Sequence, residues 1–387
     1  MRFRIPENIN IAPVTAHIKI INNSVYSNSF LITDESGDRQ FIINQTTKTF
    51  IEKFSTPKTF KQLNEEVASE VNAPVKDIKK IIQPFFKYIK YRHFIVPENY
   101  EPIKIKTSPL FNPGNNLDQY AIEEIIDTNN EVDIYRAVDI NSGKNVVIKL
   151  LKQHDKKRIE EFEREFTFLQ LLSETGIAPG AYAFIVTGNY TYFIQDFING
   201  LSLPQFINRK KKSTFNLVLK IIERILYAFK EMHALNIVHG DIHSSNILIT
   251  GENKIKIIDF GLALNTQLDK DQLVNFGGAY FFMPPERIKK TTHNKFLRKP
   301  DFFSDVFQLG IVLYMLLYNE YPFNGLTWEE LATAIKEKQV EFPEISQYGF
   351  AVPQWLIDII AICVSKNTKL RFANAGEVYG TFLKNNL

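Results

Sequence analysis

Cysteine is almost missing from this chain. Its 387 residues include one, Cys363, which excludes an internal disulfide and a zinc cage built on cysteines. Cys363 lies in the apolar run "DIIAICV" and is expected to be a buried core thiol. Long hydrophobic runs are missing too. No stretch reaches the ~18 apolar residues of a membrane span. The longest, "FQLGIVLYMLLY" at 307–318, suits a buried core helix. The N-terminus, "MRFRIPENINIAPV", lacks the apolar core of a signal peptide, so a cytoplasmic protein is expected. There is little charge excess. Lys and Arg number 46 against 43 Asp and Glu, and a net +3 does not by itself imply a nucleic-acid partner. What the chain does have is 44% hydrophobic and 13% aromatic residues, enough for sizeable cores and against global disorder. Its length allows two or three domains.

Four prolines punctuate "PENYEPIKIKTSPLFNPG" at 97–114, which makes poor helix and poor central strand. This predicts a domain over 1–98, a linker over 99–117 and a second domain over 118–387. In the first, "NSFLITDESGDRQFII" predicts a β-hairpin turning at "DESGD". Three helices are expected after it. The first carries Phe50, Ile51 and Phe54, and the second Phe60, Leu63 and Val67. The third carries Val75, Ile78, Ile82, Phe85 and Ile89, and "HFIVP" closes the domain as a short strand. In the second domain, residues 120–151 read as three consecutive strands followed by an amphipathic helix. Two more strands end near 198, and from about 217 the chain is mostly helical. The plan is a small β-rich lobe, about 118–198, and a larger helical lobe, about 199–387.

One ordered set of residues carries chemistry. Lys149 ends the strand "NVVIK", at the edge of a cleft. Glu165, on the following helix, can pair with it; Glu161 and Glu163 compete, but Leu169 one turn on favours Glu165. "VHGDIHSSNILIT" holds Asp241 and, five residues later, Asn246. The hairpin "ILIT-GENK-IKII", with Gly251 in its turn, then leads to Asp259 in "DFG". Phosphoryl transfer needs a cation for the nucleotide phosphates, oxygen ligands for Mg and an acid beside the attacking hydroxyl. Lys149, then Asn246 with Asp259, then Asp241 meet these needs in turn. Two acids alone would more often cap turns; the ordered set is specific.

Over about 120–387 the chain resembles the protein-kinase superfamily, on "VVIK", "HGDIHSSN", "DFG", "MPPE" and "SDVFQLG". "HGD" is also similar to lanthipeptide-synthetase kinase domains and to aminoglycoside-type phosphotransferases. The resemblance implies an α+β, two-lobed protein-kinase-like fold that uses ATP and Mg. Asp196, Phe197 and Ile198 would face adenine as the hinge, behind Gln195. Asn246 and Asp259 would bind Mg. Asp305 would tie down the catalytic loop, Arg371 would pair with Glu286, and His239 would stack on Phe260.

Three departures follow. Asp127, Asn129 and Val132 stand where the family's phosphate loop has its three glycines. A carboxylate about 5 Å from a phosphate oxygen costs about 3 kcal/mol at intermediate dielectric. Either Asp127, Glu131 and Asp133 point away from the phosphates, then, or ATP binds weakly. Gly240 stands where an arginine usually reads a phosphorylated activation segment, and Thr266 and Tyr280 are the few hydroxyls between Asp259 and Glu286. Activity independent of an activating phosphate is expected. His243 and Ala279 replace a lysine and a threonine beside Asp241, which leaves the acceptor class open.

The N-terminal body, over 29–98, resembles winged-helix-like PqqD domains, which recognise leader peptides of ribosomally made precursors. That implies a leader adding as a strand beside "FLIT" and packing near Ile78, Ile82 and Phe86. The basic third helix, with Lys76, Lys79, Lys80, Lys87, Lys90 and Arg92, raises DNA binding as a competing reading. Apolar "IIQPFF" between the lysines counts against it, and snorkelling lysines around a buried seam explain most of them. The expected function is an ATP- and Mg-dependent kinase for Ser/Thr of a docked precursor peptide or protein, with any lyase or cyclase on separate proteins. A small-molecule phosphotransferase and a pseudokinase scaffold are the alternatives.

Overall fold

The computed structural model describes residues 2–5, 10–13, 29–33, 40–91, 95–98, 108–153, 155–209, 213–269, 279–288, 299–323 and 328–386. The chain divides into two compact units, Met1–Lys104 with Gly325–Leu331, and Ile105–Asn324 with Ala332–Leu387.

In the first unit, strands β1 (Arg2–Arg4), β2 (Asn10–Pro13), β3 (Ser29–Thr33) and β4 (Gln40–Asn44) precede helix α1 (Gln45–Glu52). Then come β5 (Lys58–Thr59), α2 (Phe60–Glu70), α3 (Val75–Tyr91) and β6 (Val96–Pro97). Thr59 caps α2: its hydroxyl accepts from the Gln62 amide and the Gln62 side chain accepts from the Thr59 amide. The expected hairpin is β3–β4, whose turn lies outside the described residues. β2 pairs along the other side of β3, so "FLIT" is a central strand and β2 and β4 are the sheet's edges. Phe50, Ile51, Phe54, Leu63, Ile78, Ile82 and Phe86 form one core with Phe3 and Ile95. Ile78, Ile82 and Phe86 are therefore core rather than a docking face. On α3 it is Ile81 that is exposed, at 72%.

The second unit opens with a six-stranded antiparallel sheet, built from β7 (Asn116–Leu117), β8 (Tyr120–Thr128), β9 (Val132–Asp139), β10 (Asn145–Leu151), β11 (Ala181–Val186) and β12 (Thr191–Asp196). Its order is β11-β12-β10-β9-β8-β7. Alternation in β9 buries Asp133, Tyr135 and Ala137 on one face. Helix α4 (Lys156–Ser173) follows β10, is capped by Asp155, and packs Phe162 and Phe166 against Phe193.

The larger lobe runs through β13 (Gly200–Ser202), α5 (Leu203–Arg209), α6 (Phe215–Ala234), β14 (Ile237–Val238), β15 (Ile247–Thr250), β16 (Ile255–Ile257) and β17 (Leu264–Asn265). Helices α7 (Phe302–Tyr318), α8 (Trp328–Glu337, whose residues up to Leu331 group with the first unit), α9 (Gln354–Cys363) and α10 (Ala375–Asn385) follow. The expected hairpin is β15–β16, pairing Ile247 with Ile257 and Ile249 with Ile255. The left-handed residue of its turn is Asn253 (φ 59) rather than Gly251. α7 is buried from Ser304 to Tyr318. A Cβ on Gly310 would come within 2.6 Å of the Cys363 Cβ, so glycine lets α7 approach α9. Cys363 is fully buried, which pushes its thiol up to about 12. Among the described residues no helix is long and apolar enough to cross a membrane.

Candidate active site

β10 carries Lys149 between Phe193 on β12 and Ile134 on β9, with its ammonium at the sheet's face toward α4. Lys149 Nζ donates to Glu165 Oε1 at 2.6 Å and to Asp259 Oδ1 at 3.0 Å. Glu165 is the partner among the three glutamates considered. It is 6% exposed; burial pushes its carboxyl up, and Lys149 opposes that. Lys149 itself titrates above its ordinary range. Burial opposes the shift, but the paired carboxylates outweigh it. Lys149 holds Asp259 down at about 2. Asp259 has φ 66, a left-handed backbone that turns its carboxylate back toward the sheet.

The loop between β14 and β15 is held by α7. Asp305 accepts the His239 amide at 2.7 Å and the Gly240 amide at 2.9 Å. Gln308 accepts the Ile242 amide at 3.0 Å. His233 Nε2 lies 3.1 Å from Asp305, so that buried carboxylate has a third partner. Gly240 has φ 78, and a Cβ there would meet the Leu262 carbonyl at 2.7 Å. The buried Arg287 donates to the Gly240 carbonyl at 3.0 Å. A guanidinium thus sits against this loop, supplied from residue 287 rather than 240. His239 packs on Phe260 at a centroid distance of 5.5 Å.

Asp241 Oδ1 accepts the Ala279 amide at 3.0 Å, so the backbone does what an absent threonine side chain cannot. Its Oδ2 lies 3.9 Å from His243 Nε2. Burial holds His243 below the ordinary histidine value, although Asp241 pulls the other way, so the imidazole is neutral at pH 7. Asn246 Nδ2 donates to the Asp241 carbonyl at 3.2 Å, which leaves Oδ1 as the ligand-type atom. Glu286 and Arg371 form a two-pronged pair at 2.8 and 2.7 Å.

Asp196 ends β12. Its amide donates to the Gly180 carbonyl, and its carboxylate accepts from Gly180 N and the Tyr182 hydroxyl. Its amide is therefore taken. Arg136 lies over the Phe197 ring at 5.6 Å.

At the tip of β8–β9 the three acids part company. Asp133 points into the lobe, fully buried and 2.7 Å from Lys152. Glu131 pairs with Arg158 at 3.0 Å. Asp127 is exposed and caps the Thr128 amide at 2.9 Å. Asn129 Oδ1 accepts both the Glu131 and Val132 amides, at 2.8 and 2.9 Å, so asparagine builds the turn that glycine usually builds. The sequence reading missed Lys152, Arg287, His233 and Gln308. Asp133 could have been found as more than an awkward acid, because it shares the inward parity of Tyr135 and Ala137 on β9.

A lysine, an ionised carboxylate and a free amide oxygen are a donor set suited to Mg and a nucleotide triphosphate. Among the described residues no three His, Cys, Asp or Glu side chains converge; Asp259 with an asparagine needs no such cluster.

A family model for the protein kinase domain matches residues 120–379. The chain is 27% identical over 269 residues to a probable serine/threonine-protein kinase PknB of Lactococcus lactis, covering 67% of this chain and 41% of that one. It is 28% identical over 266 residues to the serine/threonine-protein kinase PrkC of Bacillus subtilis, covering 67% and 39%. It is 26% identical over 254 residues to the serine/threonine-protein kinase ppk11 of Schizosaccharomyces pombe, covering 65% and 78%. The chain spans about two-fifths of the length of the two bacterial relatives.

Proposed function

The chain belongs to the protein kinase family, and from that premise we propose an ATP- and Mg-dependent kinase acting on serine or threonine hydroxyls of a ribosomally made precursor peptide or protein. One observation carries the reading: Lys149 contacts both Glu165 and Asp259, while Asp241 is held by Ala279 with one oxygen left over.

ATP with Mg would supply the transferable phosphoryl group and the charge that offsets its anions. Lys149, fixed by Glu165, presents a cation to the phosphates. Asp259, ionised at neutral pH, and Asn246 Oδ1 would hold the metal. Asp241 Oδ2 would take the proton of the attacking hydroxyl while Oδ1 stays bonded to Ala279. The neutral His243 beside Oδ2 would hydrogen-bond rather than pair as an ion. This intact constellation favours catalysis over a scaffold role. The matched relatives are named as protein kinases, which favours a protein or peptide acceptor over a small alcohol.

Peptide docking is assigned to the N-terminal unit. We read it as a winged-helix-like, PqqD-like body in which the leader adds to β2 or β4, since β3 is paired on both sides. The test uses Mg-ATP and precursor peptides encoded beside the gene, each with and without its leader, with phosphate read by mass. Leader-dependent KM supports the reading. Phosphorylation indifferent to the leader removes the docking role, and turnover of small alcohols alone removes the peptide acceptor.

A further inference from the structure

The segment just before the small lobe is fastened to the phosphate-loop hairpin by a buried charge. Asp133 is fully buried. One of its oxygens accepts the Leu110 amide at 2.9 Å and the Tyr135 hydroxyl at 2.8 Å. The other lies 2.7 Å from Lys152 Nζ and accepts the Thr128 hydroxyl. Lys152 also donates to the Thr128 hydroxyl at 2.8 Å and to the Ser108 carbonyl at 3.3 Å. The Tyr135 hydroxyl accepts the Phe111 amide at 3.0 Å, and the Phe111 ring packs on Tyr135 and Tyr190. Residues 108–111 are thus bonded directly to β9 and to Lys152 just past β10, and through Asp133 and Lys152 to Thr128 on β8. Burial alone would push Asp133 up; its four partners hold it below the ordinary range, so it stays charged.

A buried carboxylate this well satisfied is costly to build and rigid once built. It lies at the base of a tip that cannot work like a glycine loop. The Glu131 and Val132 amides, which could otherwise reach phosphate, are already bonded to Asn129. Asp133 directly follows Val132 of this tip on β9, and the next residue, Ile134, pairs with Lys149.

We propose that Asp133 and Lys152 are positioning residues that clamp residues 108–111 to the hairpin and so set its grip on the ATP phosphates. The inference rests on the ATP-dependent reading above.

The test is made in the full chain with Leu110→Pro, which removes the amide donated to Asp133 and leaves both charges in place. Leu110→Ala is the control, because that side chain is 48% exposed and the amide is kept. Dissociation constants are measured for Mg-ATP and for adenosine, which has no phosphates. The proline variant should bind Mg-ATP about tenfold more weakly, the value of one hydrogen bond to a charged group. Its adenosine affinity and both affinities of the alanine variant should stay as in wild type. If Leu110→Pro does not fold, Lys152→Met is read the same way. Equal weakening of ATP and adenosine, or no weakening, overturns the inference. Wild type that binds no Mg-ATP overturns the kinase reading and the inference with it.

Discussion

Lys149→Met removes the cation that sits between two carboxylates. Contacts of 2.6 and 3.0 Å from one Nζ put the Glu165 and Asp259 oxygens at most 5.6 Å apart. At that separation and an effective dielectric near 20, two negative charges repel by about 3 kcal/mol. Glu165 is 6% exposed and cannot turn to water, whereas the Asp259 side chain is half exposed and can partly escape. The variant should therefore lose about 2–3 kcal/mol of stability at pH 7. The loss should depend on pH with a definite sign. Without Lys149, burial and Asp259 both raise the Glu165 carboxyl above its unfolded value of about 4.3. A raised carboxyl contributes stability below the unfolded value and loses it as pH rises through the folded one. The deficit against wild type should thus shrink between pH 7 and pH 4.5. Wild type behaves oppositely at the acid end, since Asp259 at about 2 contributes stability above pH 4 that disappears as pH falls toward 2. Urea unfolding of both proteins at pH 7 and 4.5 measures this. A deficit under 1 kcal/mol, or one that grows on acidification, refutes the electrostatic account of the site.

Two further outcomes are expected. Burial holds Lys366 down at about 7 from the ordinary 10.5, worth at most about 5 kcal/mol, and its ammonium recovers about 1–2 kcal/mol over the Phe323 ring at 3.5 Å. A depressed lysine penalises the fold fully below pH 7 and progressively less up to about pH 10. Lys366→Met should therefore raise stability by about 2–4 kcal/mol at pH 6 and by little at pH 10; an equal change at both contradicts the assignment. Thr266 donates its hydroxyl to Asn236 at 3.4 Å, and its loss should leave turnover within about twofold, a limit set by one weak hydrogen bond. A tenfold loss in Thr266→Ala would show that a phosphate on this segment matters.

Much of the second unit was legible because its signals are local. β10 alternates and ends on Lys149, α4 places Glu165 by helical period, and β15–β16 has its hairpin written in two β-branched runs. The pair Glu286–Arg371 and the hold of Asp305 on the catalytic loop came from family resemblance rather than periodicity, since 85 and 66 residues separate the partners. What stayed hidden was satisfaction of buried polar groups across such distances. Asp133 read as a hazard to phosphate because its partners, Lys152 and the Leu110 amide, lie on other segments. In the first unit the helical seams were readable. The pairing of β2 with β3 was not, because nothing in "NIAP" says which strand it joins, and that pairing moves the free sheet edge.

The central claim is that Asp241 serves phosphoryl transfer from ATP to a hydroxyl. The direct measurement compares wild type with Asp241→Asn for phosphate transfer to a peptide acceptor and for Mg-ATP affinity. The carboxamide keeps an oxygen for the Ala279 amide, so the loop should hold its shape. Transfer should fall by about 100-fold or more, as loss of a general base requires, with ATP affinity little changed. An Asp241→Asn enzyme that transfers phosphate at the wild-type rate would contradict the account.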